Sequence, residues 1–284
     1  MHPHHRSSVG LLLGAALCWS FAGVLIKYLG TTWSGFAVSG GRGLIAAGFL
    51  LLTNRGLRFH LSGAQVTGAI AYAICTATFC VATTLTSAAN AILLQYTAPV
   101  WVALLGAWFV GERATRADWF TIFAALAGMA LFFQDGLSLG HLAGDALALL
   151  SGISFAAMTL ALRRQKDGSP IESIILGNLL AFVMGLPWLW RAPPLAVEGW
   201  LALLVLGSVQ LGFSYWLYAR AIRHVTALEG VLIPVIEPVL NPLWVLWFLH
   251  EQPSRQALAG GAIVLIAITA RAVFSLRSRP SSTS

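Results

Sequence analysis

Glu237 is the residue most out of place in this chain. It sits in Pro234-Val235-Ile236-Glu237-Pro238, inside an apolar run over 226–249. An ionisable side chain at the centre of a membrane-spanning helix costs about 2.5–3.5 kcal/mol or more, so such residues face a bundle interior or a wet cavity and carry function there. A carboxylate at that depth can bind a ligand ammonium or exchange a proton. The alternative is a protonated Glu hydrogen-bonded within the bundle, the form that desolvation favours. Pro234 and Pro238 remove backbone donors around it. A helix interrupted in this way is tolerated at membrane depth only against protein or a water-filled cavity. Asn241 follows one turn later on the same face, and Pro242 comes next.

Other stretches place polar and aromatic groups at comparable depth. Asn90, Gln95, Tyr96 and Thr97 precede Pro99 and Trp101, with Asn90, Thr97 and Trp101 along one helical face. Such groups can touch a small solute, or form ordinary interhelical hydrogen bonds worth about 0.6 kcal/mol per pair. Gln210, Ser214 and Tyr218 recur at one-turn spacing with Tyr215 and Trp216 beside them, a stripe suited to an amphipathic solute. Tyr218 fits an interfacial aromatic belt equally well. Tyr72, Thr76, Cys80 and Thr83 form a similar stripe. Trp19 and Ser20 lie near the middle of the first apolar run, matched by Ser154 in the sixth. Arg42, among Gly40, Gly41 and Gly43, is expected to pair or to snorkel to the surface; binding an anionic group is the lesser reading. Glu112 and Glu251 stand at run ends, where capping or pairing is expected, with gating as a further use.

These residues need a membrane to position them. Of the 284 residues 58% are hydrophobic and 10% charged, and the mean hydropathy is +0.79. A water-soluble domain carries about a quarter charged residues. The 11 tryptophans suit the interfacial belts of a membrane protein. Ten runs meet the requirement of roughly 20 apolar residues per span: 9–29, 33–53, 63–85, 88–110, 117–134, 142–162, 171–190, 199–220, 226–249 and 256–274. With the N-terminus cytoplasmic, 13 of the 17 Lys and Arg residues fall inside and 3 outside (Lys27, Arg191, Arg255), with Arg42 in a span. That asymmetry places both termini in the cytoplasm, and it accounts for the net charge of +7 without nucleic acid as a partner. The His-rich start is read as a solvated tail. Cys18, Cys75 and Cys80 are read as packing residues, since they lack metal or disulfide spacing.

The chain also repeats itself. At an offset of 139 residues, nine of the 29 positions from Ala88 to Arg116 match, among them Pro99 with Pro238, Trp108 with Trp247 and Glu112 with Glu251. Residues 1–137 and 138–276 therefore read as two five-span halves, followed by a polar tail over 277–284. An odd number of spans per half inverts the second half, and inverted repeats place a transport site between them at mid-depth. The fold expected is an all-α integral membrane protein of ten transmembrane helices in two inverted five-helix repeats. The copies differ where chemistry is expected: Ala98 corresponds to Glu237, and Gln95 to Pro234.

The blocks at 89–112, "ANAILLQYTAPVWVALLGAWFVGE", and 227–251, "ALEGVLIPVIEPVLNPLWVLWFLHE", together with "YWLYARAIRHVTA" at 215–227, resemble the ten-span EamA-type branch of the drug/metabolite transporter superfamily. Within it, the chain resembles the YddG-type exporters of aromatic and other amino acids. The resemblance implies a central cavity lined by spans 1, 3, 4, 6, 8 and 9 in the cytoplasmic membrane of a bacterium. It further implies a small-molecule substrate moved by alternating access, the lipid bilayer as surroundings, protons as a candidate second partner, and no cofactor. The expected substrate-binding residues are Trp19, Ser20, Tyr72, Thr76, Gln95, Tyr96, Trp101, Ser154, Gln210, Ser214, Tyr215, Glu237 and Asn241, with Pro99, Pro234 and Pro238 breaking or gating helices. Amino acid export is the expected function; other drug-like or metabolite cargo is the alternative, and an intramembrane enzyme is remote. Nothing matches a nucleotide-binding loop or a zinc cluster, a phosphorylated cargo lacks the several buried cations it needs, and a channel lacks a continuous polar path.

Overall fold

A computed structural model describes residues 3–134, 140–240 and 255–277 of the chain. Asn241 and Glu251 lie outside them. Every regular element among the described residues is helical. The first span is α1 (Pro3–Trp19) and α2 (Ala22–Gly30), and the second and third are α3 (Gly35–Thr53) and α4 (Gly63–Leu85). The fourth is α5 (Ala88–Gln95) and α6 (Ala98–Phe109). Single helices follow: α7 (Arg116–Phe133), α8 (Leu142–Arg164) and α9 (Ile171–Leu189). The eighth span is α10 (Val197–Val205), a π-helical stretch Leu206–Phe213 and α11 (Ser214–Ala221). The ninth opens with α12 (Ala227–Leu232) and a 3-10 turn Ile233–Ile236, and the last is α13 (Arg255–Arg277). Seven of these segments are long and apolar enough to cross a membrane. Their outward faces carry bare apolar side chains such as Leu52, Trp108, Phe120 and Trp190, a surface that suits lipid rather than water.

Local chemistry sets the helix starts. The hydroxyls of Ser34, Ser62 and Ser87 accept the free backbone N–H groups of the first turns of α3, α4 and α5. Thr115 with Asp118, and Thr226 with Glu229, form reciprocal capping boxes at α7 and α12.

The inversion is visible in which helices meet. α4 packs against α8, and α1 against α11, so the contact between spans three and six recurs between spans eight and one. α3 packs on α9 and α7 on α13, each helix against its own counterpart. These pairs are antiparallel: Gly40 meets Gly185 where Gly43 meets Asn178, and Asp118 reaches Arg271 where Gly128 meets Gly260. A twofold operation that maps an antiparallel pair onto itself has its axis across the helices, in the membrane plane. Glycine makes the α3–α9 approach possible. A Cβ on Gly185 would stand 2.5 Å from Phe36 O and 2.7 Å from Gly40 Cα, distances that only a bare backbone allows. Close approach of this kind drives helix association in lipid, where no hydrophobic force operates between helices.

The N-terminal histidines correct the expectation of a solvated tail. Pro3 already begins α1, His4 stacks on His224 with ring centroids 5.4 Å apart, and His5 is buried with Nε2 3.4 Å from both Glu229 oxygens. His224 lies in the turn after α11. Its imidazole is held below the usual range by partial burial and by the neighbouring His4, Arg223 and Arg163.

Candidate functional site

Spans one, four, eight and nine lose regular α-geometry at the same depth, and a small cavity of about 40 Å³ lies where they do. In span four the break falls at Tyr96 and Thr97, and Pro99 opens α6 in its first turn, where a missing N–H costs nothing. In span nine Pro238 has no N–H to return to Pro234 O. The ladder tightens instead, with Glu237 N donating to Pro234 O in 3-10 fashion. Spans one and eight break without proline. The Ser20 hydroxyl donates to Leu17 O at 2.7 Å, and Ser214 Oγ donates to Gln210 O. Such back-bonding draws carbonyls out of the helix ladder and bends it.

Of the expected residues, Trp19, Thr76, Gln95, Tyr96, Gln210, Tyr215 and Glu237 line this cavity. Arg42 and Phe155 stand among its other lining residues. Tyr72 lies behind the lining, its ring 4.7 Å from that of Tyr215 and its hydroxyl bonded to Asn178. Ser20, Ser154 and Ser214 are buried in the helix walls. Trp101 turns its indole N–H to Thr97 Oγ1 at 3.3 Å. Asn241 falls outside the described residues.

Glu237 is 8% exposed. The Tyr96 hydroxyl stands 2.6 Å from Glu237 Oε2 and 2.9 Å from Pro234 O. A tyrosine has one proton to donate, so the pair has two arrangements. An ionised Glu237 accepts from Tyr96. A protonated Glu237 donates to Tyr96 Oη, which then turns its own proton to Pro234 O. The same three atoms accommodate both states of the acid.

Arg42 neither snorkels nor pairs with an acid among the described residues. It is 1% exposed; Nη2 donates to Thr76 O at 2.7 Å and Nη1 to Gln210 Oε1 at 3.3 Å. The sequence places an Arg among glycines but does not show that the third and eighth spans bring carbonyl oxygens to it. The close seat of the π-helical stretch does this: a Cβ on Gly207 would strike the Ile45 side chain and stand 2.9 Å from Arg42 O. π-Helical turns of this kind occur often at functional sites. One residue before Thr76 in α4, Cys75 O accepts from Ser151 Oγ at 3.0 Å, and Gln95 Nε2 donates to Ser151 Oγ at 2.9 Å.

Toward the end that carries the N-terminus, aromatic rings and then ion pairs close the bundle. Trp19 packs on Tyr215, Tyr218 and Phe155 with centroids 5.0, 5.5 and 6.0 Å away. Tyr218 is fully buried and shares a 2.8 Å hydrogen bond with Thr159, so it is no interfacial belt residue. Beyond them Glu112 Oε1 accepts from Arg163 Nε at 2.8 Å, and Oε2 accepts from Ala227 N at 2.7 Å. Glu112 thus pairs and caps at once. Arg271 holds Asp118 at 2.7 Å and approaches Glu229 at 3.8 Å. At the other end Asp145 Oδ1 accepts from Thr86 at 2.8 Å and from Asn90 at 2.9 Å, a junction no expectation included.

The chain is similar to known proteins in sequence and in fold. Pseudopaline exporter CntI of Pseudomonas aeruginosa is 26% identical over 185 residues, covering 64% of this chain and 65% of that protein, slightly under two thirds of its length. The uncharacterized transporter YwfM of Bacillus subtilis is 25% identical over 186 residues, covering 64% of this chain and 63% of its own. A crystal structure aligns over 97% of this chain and 100% of its own, with a TM-score of 0.81 at 19% identity, a likeness of fold. Residues 6–134 and 142–270 each match the EamA-like transporter family, one match in each half, and the chain belongs to that family.

Proposed function

We propose that the protein is a secondary transporter that exports small metabolites across the cytoplasmic membrane of a bacterium, amino acids with apolar or aromatic side chains first among them. Both termini are cytoplasmic in this reading, and residues 1–137 and 138–276 act as the two inverted repeats. The observation that carries it is the Glu237–Tyr96 pair, which joins the two halves across a mid-depth cavity framed by interrupted helices. Family membership and the relative named as an exporter point to transport rather than catalysis. A cavity walled by the aromatic rings of Trp19, Phe79, Phe155 and Tyr215 together with the polar groups of Arg42, Thr76, Gln95, Gln210 and Glu237 suits a solute with an apolar body and a polar head. Glu237 is the group that would take up and release a proton if export is proton-coupled.

The test is a counterflow screen of labelled amino acids, nucleosides and cationic dyes in proteoliposomes. Competition by aromatic and branched amino acids is expected. If only nucleosides or dyes exchange, the amino acid assignment fails while metabolite export stands.

A further inference from the structure

The geometry points to a cavity with two chemically opposite ends, in which Arg42 and Trp19 receive a carboxylate and Glu237 receives an ammonium. The required cargo is therefore an amino-carboxylate, and an organic cation or a neutral solute is refused. The inference rests on the transport reading of the same cavity and goes beyond it by assigning the recognising groups.

Arg42 carries the first argument. A guanidinium 1% exposed at membrane depth is tolerated when it is paired or facing a cavity. Its bonds to Thr76 O and Gln210 Oε1 satisfy donors but bring no negative charge. The ion pairs among the described residues all lie at the N-terminal end of the bundle, and Arg42 belongs to none of them. Among the described residues Arg42 Nε is buried without a hydrogen-bond partner, and so is the indole Nε1 of Trp19, another residue of the same cavity. Two orphaned buried donors, one of them charged, are costly unless an acceptor arrives. A carboxylate supplies such an acceptor: it takes hydrogen bonds at two oxygens and forms short charge-assisted bonds with guanidinium.

Glu237 carries the second argument. It too lines the cavity outside any ion pair among the described residues, and Tyr96 orients one of its oxygens. Arg42 and Glu237 thus line one cavity, and no ion pair joins them among the described residues. A zwitterion neutralises both. A lone cation leaves the guanidinium uncompensated and adds like charge to the cavity. A neutral solute leaves the guanidinium, and Glu237 in its ionised state, unpaired.

The experiment uses the purified full chain and three probes of nearly one shape: phenylalanine, phenylalaninamide, which lacks the carboxylate, and 3-phenylpropanoate, which lacks the ammonium. Thermal stabilisation in detergent reads binding, and competition in counterflow reads transport. Sites built around a polar group discriminate strongly against analogues that lack it, so both truncated probes are expected to act roughly 100-fold more weakly than phenylalanine. Arg42→Gln should remove the preference for phenylalanine over the amide and spare the preference over the acid. Glu237→Gln should do the reverse. The wild-type comparison requires neither variant to fold. Equal action of phenylalanine and phenylalaninamide on wild type overturns the proposal. Counterflow of a dye or nucleoside without stabilisation by phenylalanine also overturns it and leaves the transport reading intact. Stabilisation by phenylalanine alone, with no counterflow of any probe, upholds the two-ended site and removes the transport reading. Absence of both effects overturns both.

Discussion

Tyr96 and Glu237 meet at 2.6 Å although 141 positions separate them, because the inverted halves bring the broken middles of spans four and nine to one point. Glu237→Gln keeps a partner for Tyr96 but cannot exchange a proton. Exchange of substrate across liposomes at equal pH is expected to weaken in this variant, because the group that receives the ammonium is gone, and acceleration of the remaining efflux by a pH gradient is expected to be lost. An unchanged pH response would exclude Glu237 as the coupling group. Tyr96→Phe removes one hydrogen bond worth about 1 kcal/mol, so exchange should fall about fivefold.

The Glu112 carboxylate binds Arg163 and Ala227 N at once, and both belong to the second half. Arg163→Ala should loosen the N-terminal end of the bundle. With the native cysteines replaced and a reporter at Thr159→Cys, labelling by a water-soluble maleimide should rise several-fold. Hydrogen bonds to charged groups are worth about 1.5–3 kcal/mol, enough to shift a balanced access equilibrium. A labelling rate unchanged from the parent would show that Arg163 does not hold this end shut.

Gly207→Ala and Gly48→Ala form a contrasting pair. A Cβ at Gly207 collides with the Ile45 side chain, whereas at Gly48 none of the described residues lies within 4 Å. Overpacking costs about 1–3 kcal/mol. Gly207→Ala should therefore lower the melting temperature in detergent and weaken export by displacing Gln210 from Arg42. Gly48→Ala should be neutral or stabilising, by up to about 1 kcal/mol of helix propensity. Similar losses in both would mean that the seat of the π-helical stretch is not tight.

Arg271 gathers Asp118 and Glu229 from α7 and α12, and His5 reaches the same Glu229 from α1. Arg271→Gln leaves two partly or fully buried acids short of positive charge. A loss of stability of about 1–3 kcal/mol is expected from the lost charged hydrogen bond. Asp118→Asn in the same background should restore part of it. Independent, additive losses would show that the residues do not act as a group.

Most of the architecture can be read from hydropathy, because lipid demands long apolar helices and little else. The Pro99 and Pro238 interruptions are legible too, since proline announces its missing donor. The breaks at Ser20 and across Leu206–Phe213 are not: serine back-bonding is optional, and no residue type marks a π-turn. Ser154 shows the limit of arguing by symmetry. It matches Ser20 in sequence, yet α8 runs unbroken past it and keeps it in the wall. Arg42 was legible as a buried charge but not as a cavity residue. A long side chain can reach a surface or a neighbour, and only the packing of α3 against the third and eighth spans decides which.

The interrupted helices have a mechanical consequence. A straight rod that tilts carries both its ends with it, while a jointed rod can swing one arm and leave the other anchored. Spans one, four, eight and nine are jointed level with the cavity, whereas α3 with α9 and α7 with α13 form antiparallel pairs seated on glycine. A change of access built on those joints leaves the rigid frame still and its lipid-facing height constant. The surrounding bilayer then need not thin or thicken as the cavity turns from one side to the other.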